Sequence, residues 1–238
     1  MPPLLRERRP SGVEVLRLNR PDRLNAMDSE LLAALNGALA ELADDPEVRA
    51  VVLSTTSAAA LSAGADVDEQ LDAAGGVERM AAFTRMYAGV EACPVPTVAV
   101  CVGHCVGAGA EVAAGCDLRV AGANLKARWV GARHGVPVGP ARLAPLVGEA
   151  LARDLVLTGR RLEAPEALAC RFVRSVHPED EAEGAALELA DAVAAQPPAG
   201  LRRLKALMRE LSGSAERVAR ENDALMAFQR EGAGLPRR

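Results

Sequence analysis

Residues 103–117 read GHCVGAGAEVAAGCD and set one carboxylate, Glu111, two residues after a Gly-Ala-Gly turn and inside an apolar run that ends at Asp117. Removing an ionisable side chain from water is costly unless it is neutral, hydrogen-bonded or used for chemistry. This stretch is therefore the first candidate for function.

Working outward, Val95 to Val102 read as a buried strand with prolines near its start. Glu111 then falls in a strand-to-helix turn, and Leu118 to Ala121 form the next strand after a short helix. Upstream, VEVLRL at 13–18 alternates as a strand should and ends at the turn formers Asn19 to Asp22. A helix follows, capped by Asp28 or Ser29. Leu32, Leu35, Leu39 and Leu42 recur at helical spacing before Asp44, Asp45 and Pro46 stop it. Val51 to Leu53 make a short continuous apolar run, the pattern of a strand covered on both faces. The loop LSAGAD at 61–66 comes next, followed by a helical stripe of Met80, Phe83, Tyr87 and Val90. Strands alternating with helices predict an α/β core over residues 1–180. From about Glu181 the pattern is Ala- and Leu-rich and helical, broken only by QPPAG at 196–200 and SGS at 212–214, so 181–238 is expected to be a helical segment.

Composition excludes several function classes. Half of the 238 residues are apolar, enough for one substantial core. The 28 basic and 32 acidic side chains give a net charge of −4, and aromatic content is 2%, which argues against a nucleic-acid groove. Five cysteines, an odd number mostly in apolar context, fit a reducing cytoplasm better than a disulfide scaffold. The N-terminal MPPLLRERRPSG lacks the apolar stretch of a signal peptide. Residues 92–115 are nearly uncharged, but their prolines, glycines, His104 and Glu111 oppose a membrane span. Cys101, His104, Cys105 and Cys116 match no usual zinc spacing, so no metal is expected and the thiols read as small hydrophobes. GAGAEV at 107–112 is not a complete dinucleotide fingerprint, and neither a P-loop GKS/GKT nor a GxSxG elbow occurs.

LNRPDRLNAM at 18–27, VRAVVLS at 48–54, LSAGAD at 61–66, PVPTVAVCVGHCVGAGAEVAAGCDLRVA at 94–121 and LVGEALARDLVLTGRRLEAPEALA at 146–169 occur in that order. Together they resemble the successive blocks of the enoyl-CoA hydratase/isomerase, or crotonase, family. The resemblance implies a crotonase-like spiral of ββα units with a helical C-terminal trimerisation segment, giving homotrimers or dimers of trimers. It implies an acyl-CoA substrate whose thioester oxyanion is stabilised as an enolate. Coenzyme A enters as part of that substrate, with no separate cofactor.

Backbone N–H groups aimed at the developing oxyanion suit this chemistry, and small residues let them approach closely. The resemblance puts these donors on Ala65, after Gly64, and on Ala108, after Gly107, where the family usually has glycine. Glu111 matches the first of two glutamates that act on water and on the carbon α to the carbonyl. The second position holds Gly131, within ARWVGARHGVPVGPARL at 127–143, and no Asp or Glu lies between Asp117 and Glu149. Three readings stay open: a one-base reaction such as double-bond isomerisation, a substitute acid from elsewhere, or a noncatalytic acyl-CoA-binding homologue. His134 is the candidate substitute, against a plain role at the surface or pocket rim. Trp129 either lines the acyl pocket or packs in the core or between subunits.

For the CoA moiety the resemblance points to main-chain contacts around Leu24, Asn25, Ala26 and Ala63. Phosphate contacts are expected from Arg23, with Lys205, Arg230 or the terminal arginines as further candidates. Asp66, after the first oxyanion loop, is grouped with the substrate-binding residues but is better suited to cap the next helix.

Overall fold

The computed structural model of the protein describes residues 1–232, 234 and 235. In chain order its elements are β1 (Leu4–Arg8), β2 (Val13–Leu18), α1 (Ser29–Asp44), β3 (Ala50–Thr55), β4 (Ala60–Ser62), α2 (Ala73–Ala92), β5 (Thr97–Cys101), β6 (His104–Val106), α3 (Ala108–Gly115), β7 (Leu118–Gly122), β8 (Lys126–Arg128), α4 (Pro140–Val147), α5 (Glu149–Thr158), β9 (Arg161–Glu163), α6 (Ala164–Ala169), β10 (Ser175–His177), α7 (Ala182–Ala194), α8 (Pro198–Ser212) and α9 (Ser214–Glu231). Single 3₁₀ turns occupy Pro21–Arg23 and Gly131–His134.

A six-stranded sheet runs β1-β2-β3-β5-β7-β10, parallel except for the β1–β2 pair. A four-stranded sheet runs β4-β6-β8-β9, with β8 and β9 antiparallel. Three times in succession the chain lays one strand in the large sheet and the next in the small one: β3 then β4, β5 then β6, β7 then β8. This is the expected spiral, and the sequence alternation explains its layers. Leu16, Leu18, Val51, Leu53, Ala99 and Cys101 point into the main core. Their neighbours Val13, Val15, Ala50, Val52, Val98 and Val100 point to the opposite face. That second face is covered by α7, whose Ala182, Ala186, Ala190 and Ala194 recur every four residues and let helix and sheet approach closely. The first helix of the C-terminal segment therefore closes the sheet of the preceding one.

Asp28 caps α1 by accepting from Leu31 N at 2.9 Å. The expectation that Asp66 caps the following helix is overturned: Asp72 caps α2, accepting from Gly75 N at 2.7 Å. The chain needs six residues after Asp66 to reach the start of α2, which puts Asp66 out of range. The reading of the N-terminus did not anticipate β1, LLRER. It is an edge strand with only Leu4 buried, so it lacks the apolar alternation of a covered strand.

All five cysteines are free, and Cys93, Cys101, Cys105 and Cys116 are buried. Among the described residues no helix is long and apolar enough to cross a membrane.

Candidate active site

β4 and β6 are parallel neighbours, so the loops that follow them leave the same edge of the small sheet. The first loop is tied to the segment before α1: Met27 N donates to Gly64 O at 2.7 Å and Asp66 N donates to Met27 O at 2.9 Å. Gly64 has φ +96°, and a Cβ there would stand 2.9 Å from Val106 O and 3.6 Å from Ala108 N. Only glycine lets the two loops meet this closely. Ala65 lies beside the parallel bridge to Met27, and Ala108 is the first residue of α3. Neither N–H donates to a protein acceptor among the described residues. Both residues line a cavity of about 260 Å³, together with Gly64, Gly107 and apolar side chains including Met80, Phe83, Val136 and Leu225. The helix start adds partial positive charge on the Ala108 side.

Gly131 and His134 also line this cavity. Gly131 is buried, whereas His134 is exposed in the 3₁₀ turn and stands at the rim. Trp129 is 1% exposed and packs edge-on against Phe172 at 5.5 Å between ring centroids. It is a core residue and is not part of the cavity wall.

Glu111 is fully buried in the first turn of α3, its N–H bonded to Gly107 O at 2.9 Å. Its carboxyl stands behind the cavity wall: Oε2 lies 3.2 Å from Arg142 Nε on α4, without a hydrogen bond of ordinary geometry. Arg142 Nη1 is closer to Glu221 Oε1 on α9, at 2.6 Å. Glu221 Oε2 also accepts from Gly139 N at 3.1 Å and Ala141 N at 2.8 Å. The guanidinium carbon lies 4.3 Å from the ring centroid of Tyr87, a cation–π contact, and Tyr87 itself lines the cavity. Burial pushes the Glu111 carboxyl up to about 8, opposed by Arg142 and reinforced by Glu221, with the nearby Trp129 indole acting weakly downward. Burial thus favours the protonated form of the Glu111 carboxyl and makes its carboxylate a stronger base than that of a solvent-exposed glutamate. Sequence reasoning missed Arg142, Glu221 and Tyr87, although an unexplained Arg at 142 and Glu at 221 in amphipathic helices offered no signal beyond ordinary charged faces.

The expected CoA-binding groups are placed less uniformly. Leu24 and Asn25 have positive φ, 50° and 54°. Asn25 is fully buried and organises the loop: its Oδ1 accepts from Arg20 N at 2.7 Å, and its Nδ2 donates to Thr55 Oγ1 at 2.7 Å and Ala60 O at 3.0 Å. The N–H groups of Leu24, Asn25, Ala26 and Ala63 donate to Pro21, Arg20, Arg23 and Leu24 carbonyls respectively. Any ligand contact by this main chain therefore falls to carbonyl oxygens. Arg23 is exposed and 3.2 Å from Asp68. Asp66 is buried and 3.0 Å from Arg20, outside the cavity wall; burial raises its carboxyl, but the Arg20 and Asp68 N–H hydrogen bonds outweigh this and hold it below the usual range.

Lys205 corrects a sequence expectation. It is buried, donating to Val95 O at 2.8 Å and Asp117 Oδ2 at 2.6 Å, so its ammonium fastens α8 to the core and is not offered to a phosphate. Arg230 is exposed on α9. The terminal arginines, Arg237 and Arg238, lie outside the described residues.

Residues 8–231 match the family model described as enoyl-CoA hydratase/isomerase. The Mycobacterium bovis protein named "Probable enoyl-CoA hydratase echA8" is 36% identical over 176 residues, covering 73% of this chain and 68% of that protein. The short-chain-enoyl-CoA hydratase of Clostridium acetobutylicum is 30% identical over 197 residues, covering 80% and 75%. Among solved structures, an enoyl-CoA hydratase/isomerase from Xanthobacter autotrophicus superposes with a TM-score of 0.86 at 25% identity, covering 98% of this chain and 89% of that one. Pseudomonas aeruginosa DspI superposes with a TM-score of 0.81 at 27% identity, covering 97% and 93%. With its spiral fold, paired small-residue loops and near full-length match, the chain belongs to the enoyl-CoA hydratase/isomerase family.

Proposed function

We propose that the protein acts on an acyl-CoA thioester, binding the thioester oxygen with the N–H groups of Ala65 and Ala108 and moving a proton with Glu111. The observation that carries this reading is that two unspent main-chain donors face one apolar cavity. As the carbonyl gains negative charge, both donors strengthen their hold, and each such bond lowers the barrier by about 2.7–4 kcal/mol. The surrounding Met80, Phe83, Val136 and Leu225 suit an uncharged, apolar acyl group.

Isomerisation of an enoyl thioester fits better than hydration. Hydration in this family's manner uses a second carboxylate, and the corresponding position is Gly131, in the cavity wall. As a carboxylate, Glu111 can serve isomerisation alone: it takes a proton from the carbon α to the thioester carbonyl, leaving a dienolate whose oxygen the two N–H groups hold, and returns that proton to the γ carbon. The exposed apolar face of α8 fits the homotrimer or dimer of trimers that the family resemblance implies, and the reduced thiols suit a cytoplasmic location.

A second reading has its own observation: the Glu111 carboxyl does not reach the cavity surface. This favours a noncatalytic acyl-CoA-binding homologue that keeps the donors without turnover. Absorbance of the conjugated enoyl thioester, followed with crotonyl-CoA and a 3-enoyl-CoA for wild type and Glu111→Gln, separates the two. Glu111-dependent gain of conjugation supports isomerisation, and loss of conjugation supports hydration. Tight binding with no spectral change supports the carrier; absence of binding to any CoA thioester refutes both.

A further inference from the structure

Glu111 does not meet Arg142 alone. The guanidinium, with 2% of its side chain exposed, bridges two carboxyls whose sequence positions are far apart, Glu111 on α3 and Glu221 on α9. The two contacts are unequal. Glu221 receives a 2.6 Å ionic hydrogen bond and two main-chain N–H bonds, whereas Glu111 receives a 3.2 Å approach and no completed bond.

We propose that Glu221, acting through Arg142, is a positioning residue for Glu111: the C-terminal helix supplies the counter-ion that keeps the guanidinium from being spent on Glu111. This rests on the reading of Glu111 as the proton-transfer group. Were Glu221 absent, the whole cation would fall to Glu111 and fix it as a carboxylate in a buried ion pair, a weakened base held away from the cavity. With Glu221 present, Glu111 stays loosely held and able to turn toward the wall that Tyr87 and Gly131 form. The groups facing Glu111 bear this out on every side. Arg142 comes from α4, Glu221 from α9, the Tyr87 phenol from α2, and the Cys105 thiol from β6. Burial keeps the phenol protonated, and Cys101 together with burial does the same for the thiol, so Arg142 and Glu221 are the charges that compete.

The test titrates the Glu111 carboxyl without substrate, by infrared difference between each protein and the same protein carrying Glu111→Gln. The pH profile of kcat is measured in parallel. Glu221→Gln should move the Glu111 midpoint down by about one pH unit or more, and Arg142→Gln should move it up. The acid limb of kcat should follow the midpoint in each variant, because the abstracting form is the carboxylate, with KM little changed. A purely structural role would lower the melting temperature of both variants without opposite shifts. Because the two variants predict opposite signs, either one that folds is decisive: no shift, or a shift of the wrong sign, overturns the proposal. Opposite midpoint shifts in a protein that turns over no thioester would support the coupling and refute the catalytic reading beneath it.

Discussion

A Cβ on Gly131 would stand 2.5 Å from the carbonyl oxygen of Val136 and 3.2 Å from Val138 Cγ1. The segment after this position is folded back onto it, with Val136 N donating to Gly131 O at 2.9 Å. The space that a carboxylate side chain at this position would require is occupied by backbone, so the glycine and the path of the loop belong together. Gly131→Glu should therefore fail to create hydratase activity and should destabilise the fold by about 1–3 kcal/mol, the usual cost of overpacking. Denaturant melts and a crotonyl-CoA assay check both parts.

The Ala108 N–H can be deleted with little disturbance, because proline is tolerated at the first position of a helix, where no intrahelical acceptor is due. Ala108→Pro should lower kcat by about 10²–10³ while leaving far-ultraviolet circular dichroism unchanged. Unaltered kcat would remove Ala108 from the oxyanion site.

Glu111 makes stability depend on pH in a defined direction. Its carboxyl titrates near 4.5 in the unfolded chain and about 8 in the fold. Between these values the native protein holds a proton that the unfolded chain has released, so stability falls as pH rises. This contribution is complete below the lower value and lost through the upper. The paired carboxylates Asp45, Asp66, Glu91 and Asp191 are held below their usual range and act in the opposite sense at lower pH, equally in wild type and variant. Melting temperatures should thus show a wild-type decline, relative to Glu111→Gln, across that window.

Leu204, Leu207, Met208 and Leu211 are 54%, 48%, 66% and 79% exposed and follow one stripe of α8. The other face is fastened by Lys205 and by Arg209, which donates to Glu91 at 2.9 Å. An apolar stripe of this kind on an otherwise anchored helix calls for a partner. Light scattering should find the wild-type chain oligomeric and the double variant Leu207→Glu, Leu211→Glu reduced to smaller species; a monomeric wild type would contradict the proposed trimer.

Lys205→Met should leave acyl-CoA affinity and its salt dependence unchanged, since the ammonium faces Val95 and Asp117. Arg23→Ala should weaken binding at low salt if its exposed guanidinium meets phosphate. Calorimetry at two ionic strengths compares the two variants.

The sequence by itself determined the layers and the two small-residue loops that border the cavity. The apolar positions of Val13–Leu18, which change phase between Val15 and Leu16, and the continuous runs at β3 and β5 mark strands covered on both faces, because neighbouring positions along a strand point to opposite sides. Gly64 marks where backbone must approach backbone, Gly107 a left-handed turn with φ +50°, and Glu111 stands out as a charge in an apolar run. The three-residue strands of the small sheet are too short to carry a period, and β1 has no covered face to record. Only the tertiary structure decided that Arg142 bridges Glu111 and Glu221, that Lys205 is buried, and that Trp129 packs against Phe172. Local periodicity reports which side of an element is covered, but the choice of ionic partner is made between segments distant in sequence, where proximity and desolvation set the energy.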